Sequence, residues 1–143
     1  MNETELTHYL RDTFPDVETS QNFGYTFFFY KSDHKRPFAS LSSSDNEHDR
    51  FSNLARPGIY RLNLGVSKPT FQSLFGPGPL DLSTYDFTTV DQFFPHPEYS
   101  AFHFISILTP SATTFERLRP LIAEAYAIAQ KRNTPQEPPA ADS

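Results

Sequence analysis

The sequence predicts an α+β domain: a twisted antiparallel sheet of about five strands, with the N-terminal and C-terminal helices packed on one face. Three stretches carry that prediction. After the Pro57-Gly58 break, RPGIYRLNLGV (residues 56–66) alternates at period two. Tyr60, Leu62, Leu64 and Val66 share one face, and Arg61 and Asn63 point from the other, as in a half-buried central strand. FGYTFFFYK (residues 23–31) reads as a strand with aromatic rings on both faces. Towards the end, Phe115, Leu118, Ile122, Ala125 and Ala129 recur at helical spacing.

Taken in order, residues 2–13 read as a first helix, with Asn2 placed to cap it and Glu5 to reach back. Leu6, Tyr9 and Leu10 form its apolar stripe, and Pro15 ends it. In the aromatic strand, Phe23, Tyr25, Phe27 and Phe29 are expected on one face and Phe28 and Tyr30 on the other, with both faces covered. A polar turn over 31–36 leads to a second strand over 37–41, and the two are expected to pair as a hairpin. The polar run 42–56 reads as a loop over the surface. Ser67 then caps a short helix with Pro69 in its first turn, where a missing N–H costs little. Phe71, Leu74 and Phe75 form its buried side, and Gly76-Pro77-Gly78-Pro79 stops it.

Residues 80–101 show no periodicity, yet carry Tyr85, Phe87, Phe93, Phe94 and Tyr99. Loops of that length are uncommon in compact domains and are usually functional or disordered. So many aromatics argue for a lid folded back over the sheet, with a helical turn near 88–93. Residues 102–108, FHFISIL, form the last strand, and Ser111 caps the closing helix. Pro120 inside that helix implies a kink or a fresh start. Residues 1–132 are therefore read as one domain and 133–143 as a disordered tail.

At 143 residues the chain can bury roughly two-thirds of its unfolded surface, so it needs no disulfide or metal to fold. It has no cysteine, which removes thiol nucleophiles and thiolate zinc sites. With 15 Phe and 7 Tyr, the aromatic content suits a thick core or an apolar pocket. The net charge of −5, spread without a basic cluster of any size, argues against nucleic acid as a partner. No apolar run is long enough to cross a bilayer. The acidic, polar start MNETELTHYLRD is unlike a signal peptide, so a cytoplasmic protein is expected.

No motif names a reaction. Walker A, GxGxxG, GxSxG and HExxH patterns are all absent. The most pointed stretch is 91–99, DQFFPHPEY, in which two prolines hold His96 on a stiff, extended segment. A histidine aimed this way can act as general acid or base, with Asp91 or Glu98 orienting the ring and Tyr99 donating a hydrogen bond. The structural alternative has His96 bonded to a backbone carbonyl, pinning its loop to the sheet. Arg61 and Asn63 form the second feature, since a guanidinium binds carboxylate or phosphate bidentately. Asp49 and His103 complete this candidate ligand-binding set. Alternatively, Arg61 pairs with Asp49 or Asp91, or faces water. Of the acidic and histidine groupings, His96, His103, Asp86 and Asp91, or the run DNEHD at 45–49, neither has the spacing of a known metal site, and no metal or cofactor is expected.

The segments YTFFFY, PFASL, DRFSN, LARPGIYRLNLGV, DFTTVDQFFPHPEYS and TFERLRPLIAEAYAIAQKR together resemble domain-of-unknown-function family 6194, over nearly the whole chain except the tail. That resemblance implies no catalytic residues. The order of elements is also similar to that of the MmcQ/YjbR-like, double-wing domains, small α+β domains sometimes associated with DNA binding. The acidic balance here argues against that role, and fold analogy does not establish function.

Two functions are compatible with these residues. One is a cytosolic binding module that holds a small ligand or partner segment between the sheet and the 80–101 loop, with Arg61 and His96 in one concave, aromatic-lined site. The other is a small cofactor-free enzyme using His96 for acid–base chemistry while Arg61 holds an anionic substrate. A homo-oligomer is compatible with either.

Overall fold

The computed structural model describes residues 2–31, 36–46 and 49–133. Helix α1 (Glu3–Thr13) starts on the expected reciprocal cap. Asn2 Oδ1 accepts from the Glu5 amide at 2.8 Å, and Glu5 Oε1 accepts from the Asn2 amide at 3.0 Å. Leu6 and Leu10 turn inward from it.

β1 (Val17–Asn22), VETSQN, is a strand without apolar alternation, because as a sheet edge it buries almost nothing. It pairs antiparallel with β2 (Tyr25–Tyr30), from Val17 opposite Tyr30 to Asn22 opposite Tyr25. The two-residue link Phe23-Gly24 turns with φ of 54° and 83°, the pair of positive values that matches the twist of a tight hairpin. Phe23 therefore leaves the strand face expected for it and stands 78% exposed at the turn. A side chain at Gly24 would be strained and would collide with the Ser44 hydroxyl.

The remaining strands are β3 (Ala39–Ser42), β4 (Arg61–Gly65), β5 (Phe93–Pro95) and β6 (Phe104–Leu108), and the sheet runs β1-β2-β3-β4-β6-β5, antiparallel throughout. It has six strands where five were expected. In place of a helical turn near 88–93, a hydrogen-bonded turn at 86–89 leads into β5, which is held to β6 beyond both its ends. The Asp91 amide donates to the Leu108 carbonyl at 2.7 Å, and the His96 amide to the Phe104 carbonyl at 2.9 Å. The single helical turns of this segment lie at Leu82–Thr84 and Ser100–Phe102 instead.

α2 (Lys68–Phe75) and α3 (Ala112–Asn133) complete the fold. Ser67 Oγ caps α2 by accepting from the Thr70 amide, and Ser111 Oγ accepts from the Thr114 amide ahead of α3. α3 continues through Pro120 as one element, with the proline ring on its solvent side. α1 and α3 cover one face of the sheet. There Phe28, Tyr30, Leu41, Leu62, Leu64, Ile105 and Ile107 meet Leu6, Leu10, Phe115, Leu118 and Ile122. Each fully buried side chain of this kind contributes about 1.5–3 kcal/mol.

The opposite face is covered by loops. Leu54, Phe94 and Leu108 form a small second core, packed against Ile59, Tyr85 and Phe87. Only the part of the 80–101 segment around Tyr85 and Phe87 thus lies over this face, since the segment also supplies β5 to the sheet edge, and the 42–56 run read as a surface loop buries its Asp49 and Ser52. Arg56 joins the two loops by donating to the Ser52 and Thr88 carbonyls. The 133–143 tail, apart from Asn133 at the end of α3, lies outside the described residues, as does most of the 31–36 turn. Among the described residues, no helix is long and apolar enough to cross a membrane.

Candidate functional site

Period-two geometry puts Arg61 and Asn63 on the loop-covered face, and sheet register decides what stands beside them. Ser42 lies opposite Arg61 in β3, Ser40 opposite Asn63, and Ser106 opposite Asn63 in β6. Ser42, Asn63 and two loop residues, Asp49 and Ser52, saturate Arg61, which is only 1% exposed. Its Nε donates to Asn63 Oδ1 at 3.0 Å. Nη1 donates to Asp49 Oδ1 and Ser52 Oγ, both at 3.0 Å. Nη2 donates to Asp49 Oδ2 at 2.5 Å and Ser42 Oγ at 3.2 Å. All five guanidinium donors are used. Asn63 is equally engaged, accepting from Ser106 Oγ and donating to Ser40 Oγ.

Asp49 also accepts from the Tyr25 hydroxyl. Burial pushes its carboxyl towards the neutral form, but the hydrogen bonds from Arg61 and Tyr25 and the arginine charge outweigh that and hold its pKa below the usual carboxylate value. The same neighbourhood, with burial as the leading cause, raises the Tyr25 phenol. Phe51 closes the cluster, its ring 4.3 Å beneath the guanidinium carbon of Arg61.

His96 also meets that ring in an edge contact, 5.6 Å between centroids, and is buried. Its Nδ1 accepts from the amides of Glu98 at 3.1 Å and Tyr99 at 3.2 Å. This fixes the neutral tautomer with the proton on Nε2, for which no described residue acts as acceptor. The backbone partners are amides of its own turn rather than the carbonyl considered from the sequence. Burial, and then the Arg61 charge, lower the imidazole pKa to about 4, against a smaller opposing effect of Asp49.

The fold thus gathers Arg61, Asn63, Asp49, His96 and Tyr99, but not the whole predicted set. Tyr99 reaches His96 through its amide and a 4.9 Å ring contact, while the side chain is 51% exposed. Asp91 lies beyond the opposite end of β5, where its carboxylate accepts from the Ser111 amide at 2.8 Å. His103 precedes β6 at the end of the sheet away from Arg61, in left-handed backbone (φ 64°), with its ring against Phe71. Tyr25, Phe51, Ser40, Ser42, Ser52 and Ser106 were not singled out from the sequence. Alternation in β3 and β6 marks three of the serines as facing the same way as Arg61 only once the register is known. Among the described residues, no three His, Asp or Glu side chains gather as a metal-ligand set.

His103 belongs instead to an open cleft of about 320 Å³. α2 supplies Lys68, Phe71 and Gln72 to one wall, and Leu80, Leu82 and the 100–103 turn supply the other. Ser67 and Thr70 are fastened to α3, since Glu124 accepts from the Ser67 amide at 2.6 Å and from the Thr70 hydroxyl at 2.7 Å. Lys68 and Gln72, on the same helix, line the cleft. Among the described residues, no side-chain hydrogen bond or ion pair engages Lys68, Gln72 or His103. The buried cluster has its polar groups satisfied internally, whereas the cleft has polar groups open to a visitor.

The chain belongs to the family of unknown function DUF6194, whose model matches residues 1–137. No curated protein and no solved structure matches it.

Proposed function

For this member of a family without an assigned activity, we propose a small-molecule binding module whose ligand sits in the cleft between α2 and the ends of the 80–101 segment. One observation carries the reading: the cleft combines apolar walls (Phe71, Leu80 and Leu82) with the unengaged polar groups of Lys68, Gln72 and His103. Its volume falls at the small end of the range for ligand sites, where a few convergent polar groups set specificity. The Arg61–Asp49–Asn63 cluster then serves as scaffold, holding the 42–56 loop on the sheet. Nothing in this reading requires a metal, a cofactor, nucleic acid or a membrane, and it suits a cytoplasmic protein.

Native mass spectrometry on the full chain, after incubation with a cell-derived small-molecule extract, tests it. The expected result is a retained mass with the wild type that is lost in Ala101→Trp, which fills the cleft from an exposed position. An adduct insensitive to Ala101→Trp, or none at any extract concentration, overturns the reading.

A second reading, acid–base catalysis by His96, rests on Nε2, which has no acceptor among the described residues. It has less support. An imidazole with a pKa near 4 is almost wholly neutral at pH 7 and a weak base there. Its proposed orienter Asp91 is engaged by Ser111, and Arg61 has no donor left for a substrate.

A further inference from the structure

Resting on that cleft as the binding site, we infer that its ligand is a small organic anion: a carboxylate-type head held at Lys68, with an apolar body against Phe71, Leu80 and Leu82. Charge is the first argument. The protein carries a net −5, with 17 acidic against 12 basic residues, yet the cleft contains a lysine and no Asp or Glu. A concavity whose one charged lining side chain is cationic favours anions over cations there, against the sign of the whole protein.

The nearest carboxylate in sequence, Asp81, is occupied. It accepts from the Ser83 amide at 3.1 Å and from the Ser83 hydroxyl at 2.5 Å, capping its own helical turn. Among the described residues it makes no ion pair with Lys68. Donor chemistry is the second argument. The Lys68 ammonium offers donors only, and the Gln72 amide, the Ser100 hydroxyl and the His103 ring can each add one. A head group rich in acceptors satisfies all of them, whereas a cationic head would face the ammonium in a lining that holds no carboxylate. The walls set the rest of the ligand. Phe71 is buried and meets the His103 ring at 5.6 Å between centroids, which puts an aromatic wall beside the polar end.

The test uses a matched pair of probes, benzoate and its uncharged isostere benzamide. Each is titrated into the full-length ¹⁵N-labelled protein at constant sodium chloride, and amide resonances are followed. Saturable shifts are expected for Phe71, Gln72, Gly76, Gly78, Ala101 and His103. Benzoate should bind roughly three- to fivefold more tightly than benzamide, the scale of a solvent-facing ion pair. Lys68→Gln, at an exposed position, should bring benzoate down to the benzamide level without disturbing the rest of the spectrum. Equal binding of the two probes at these amides, or unchanged discrimination in Lys68→Gln, overturns the anion assignment and leaves the binding module standing. Shifts confined to other surfaces, or none with benzoate, also overturn it, and the Ala101→Trp mass experiment then decides separately whether the cleft binds anything.

Discussion

At the scale of single residues, two groups on the loop-covered face control stability in different ways. Asp49 and Arg61 form a buried ion pair whose members are worth little as a pair and much as a precaution against each other's isolation. Asp49→Ala leaves a desolvated guanidinium without its carboxylate, and chemical denaturation should show a loss of about 3–5 kcal/mol. The double change Asp49→Leu with Arg61→Met should recover much of that; a single-variant loss below about 1 kcal/mol would contradict the assigned geometry. Because the folded-state pKa of Asp49 is depressed, its contribution is present above the unfolded carboxyl value and lost as pH falls through the folded one.

His96 acts in a higher pH window. Its folded pKa of about 4 lies below the unfolded value of 6.5, so between these limits the unfolded chain takes up a proton that the native chain does not. Stability should therefore fall as pH drops from about 6.5 to about 4, by up to roughly 3 kcal/mol, and this contribution should level off below that. His96→Asn keeps an oxygen to accept from the 98 and 99 amides but does not titrate. Denaturation curves at several pH values should show a flatter slope for the variant in that window; identical slopes would mean that His96 is protonated as readily in the fold as outside it.

At the scale of elements, α2 is only eight residues long, too short to be stable by propensity alone. It is held by Ser67 at its start, by Phe71 in the core and by the Glu124 carboxylate reaching from α3. Burial alone would raise the Glu124 pKa, but the Ser67 amide and the Thr70 hydroxyl more than offset it and keep the carboxylate ionised. Glu124→Ala should cost about 1–2 kcal/mol, the scale of hydrogen bonds to a charged acceptor. Hydrogen exchange should show faster exchange in α2 than in α3. A uniform change across both helices would show that Glu124 does not anchor α2 specifically. Since α2 forms one wall of the cleft, the same variant should weaken benzoate binding.

At the scale of the whole molecule, the sheet is asymmetric. Its helix-covered face is a continuous apolar core, and its loop-covered face is polar at β3 and β4 and apolar towards β5. Leu62, fully buried at the middle of the first face, should cost about 2–5 kcal/mol on change to alanine. Phe102, 70% exposed in the turn before β6, should tolerate serine within about 0.5 kcal/mol. Paired thermal or denaturant unfolding of the two variants checks the contrast, and a Phe102→Ser loss approaching that of Leu62→Ala would point to burial of this face in an assembly.

Much of this was legible in the chain itself, where a residue's neighbours in sequence are also its partners in space. The α1 capping box, the Ser67 and Ser111 caps, the stop at Gly76 and the alternation through Tyr60, Leu62, Leu64 and Val66 are local patterns, and the α+β class follows from them. β1 left no such pattern. An edge strand buries little, so VETSQN had no need to alternate, and its turn uses Phe23 where an asparagine or aspartate would have advertised a hairpin. β5 was equally silent, because three residues are too few to show a period. Arg61 and His96 stood out by residue type, but the engagement of Arg61 was settled by cross-strand register and a loop 12 positions away, while His96 is held by amides of its own turn. Tertiary structure alone set Asp49 against Arg61, turned Asp91 to Ser111, and moved His103 to a cleft with Lys68. A chemical role depends on which donors are left unsatisfied after packing, and that is a property of contacts between distant segments.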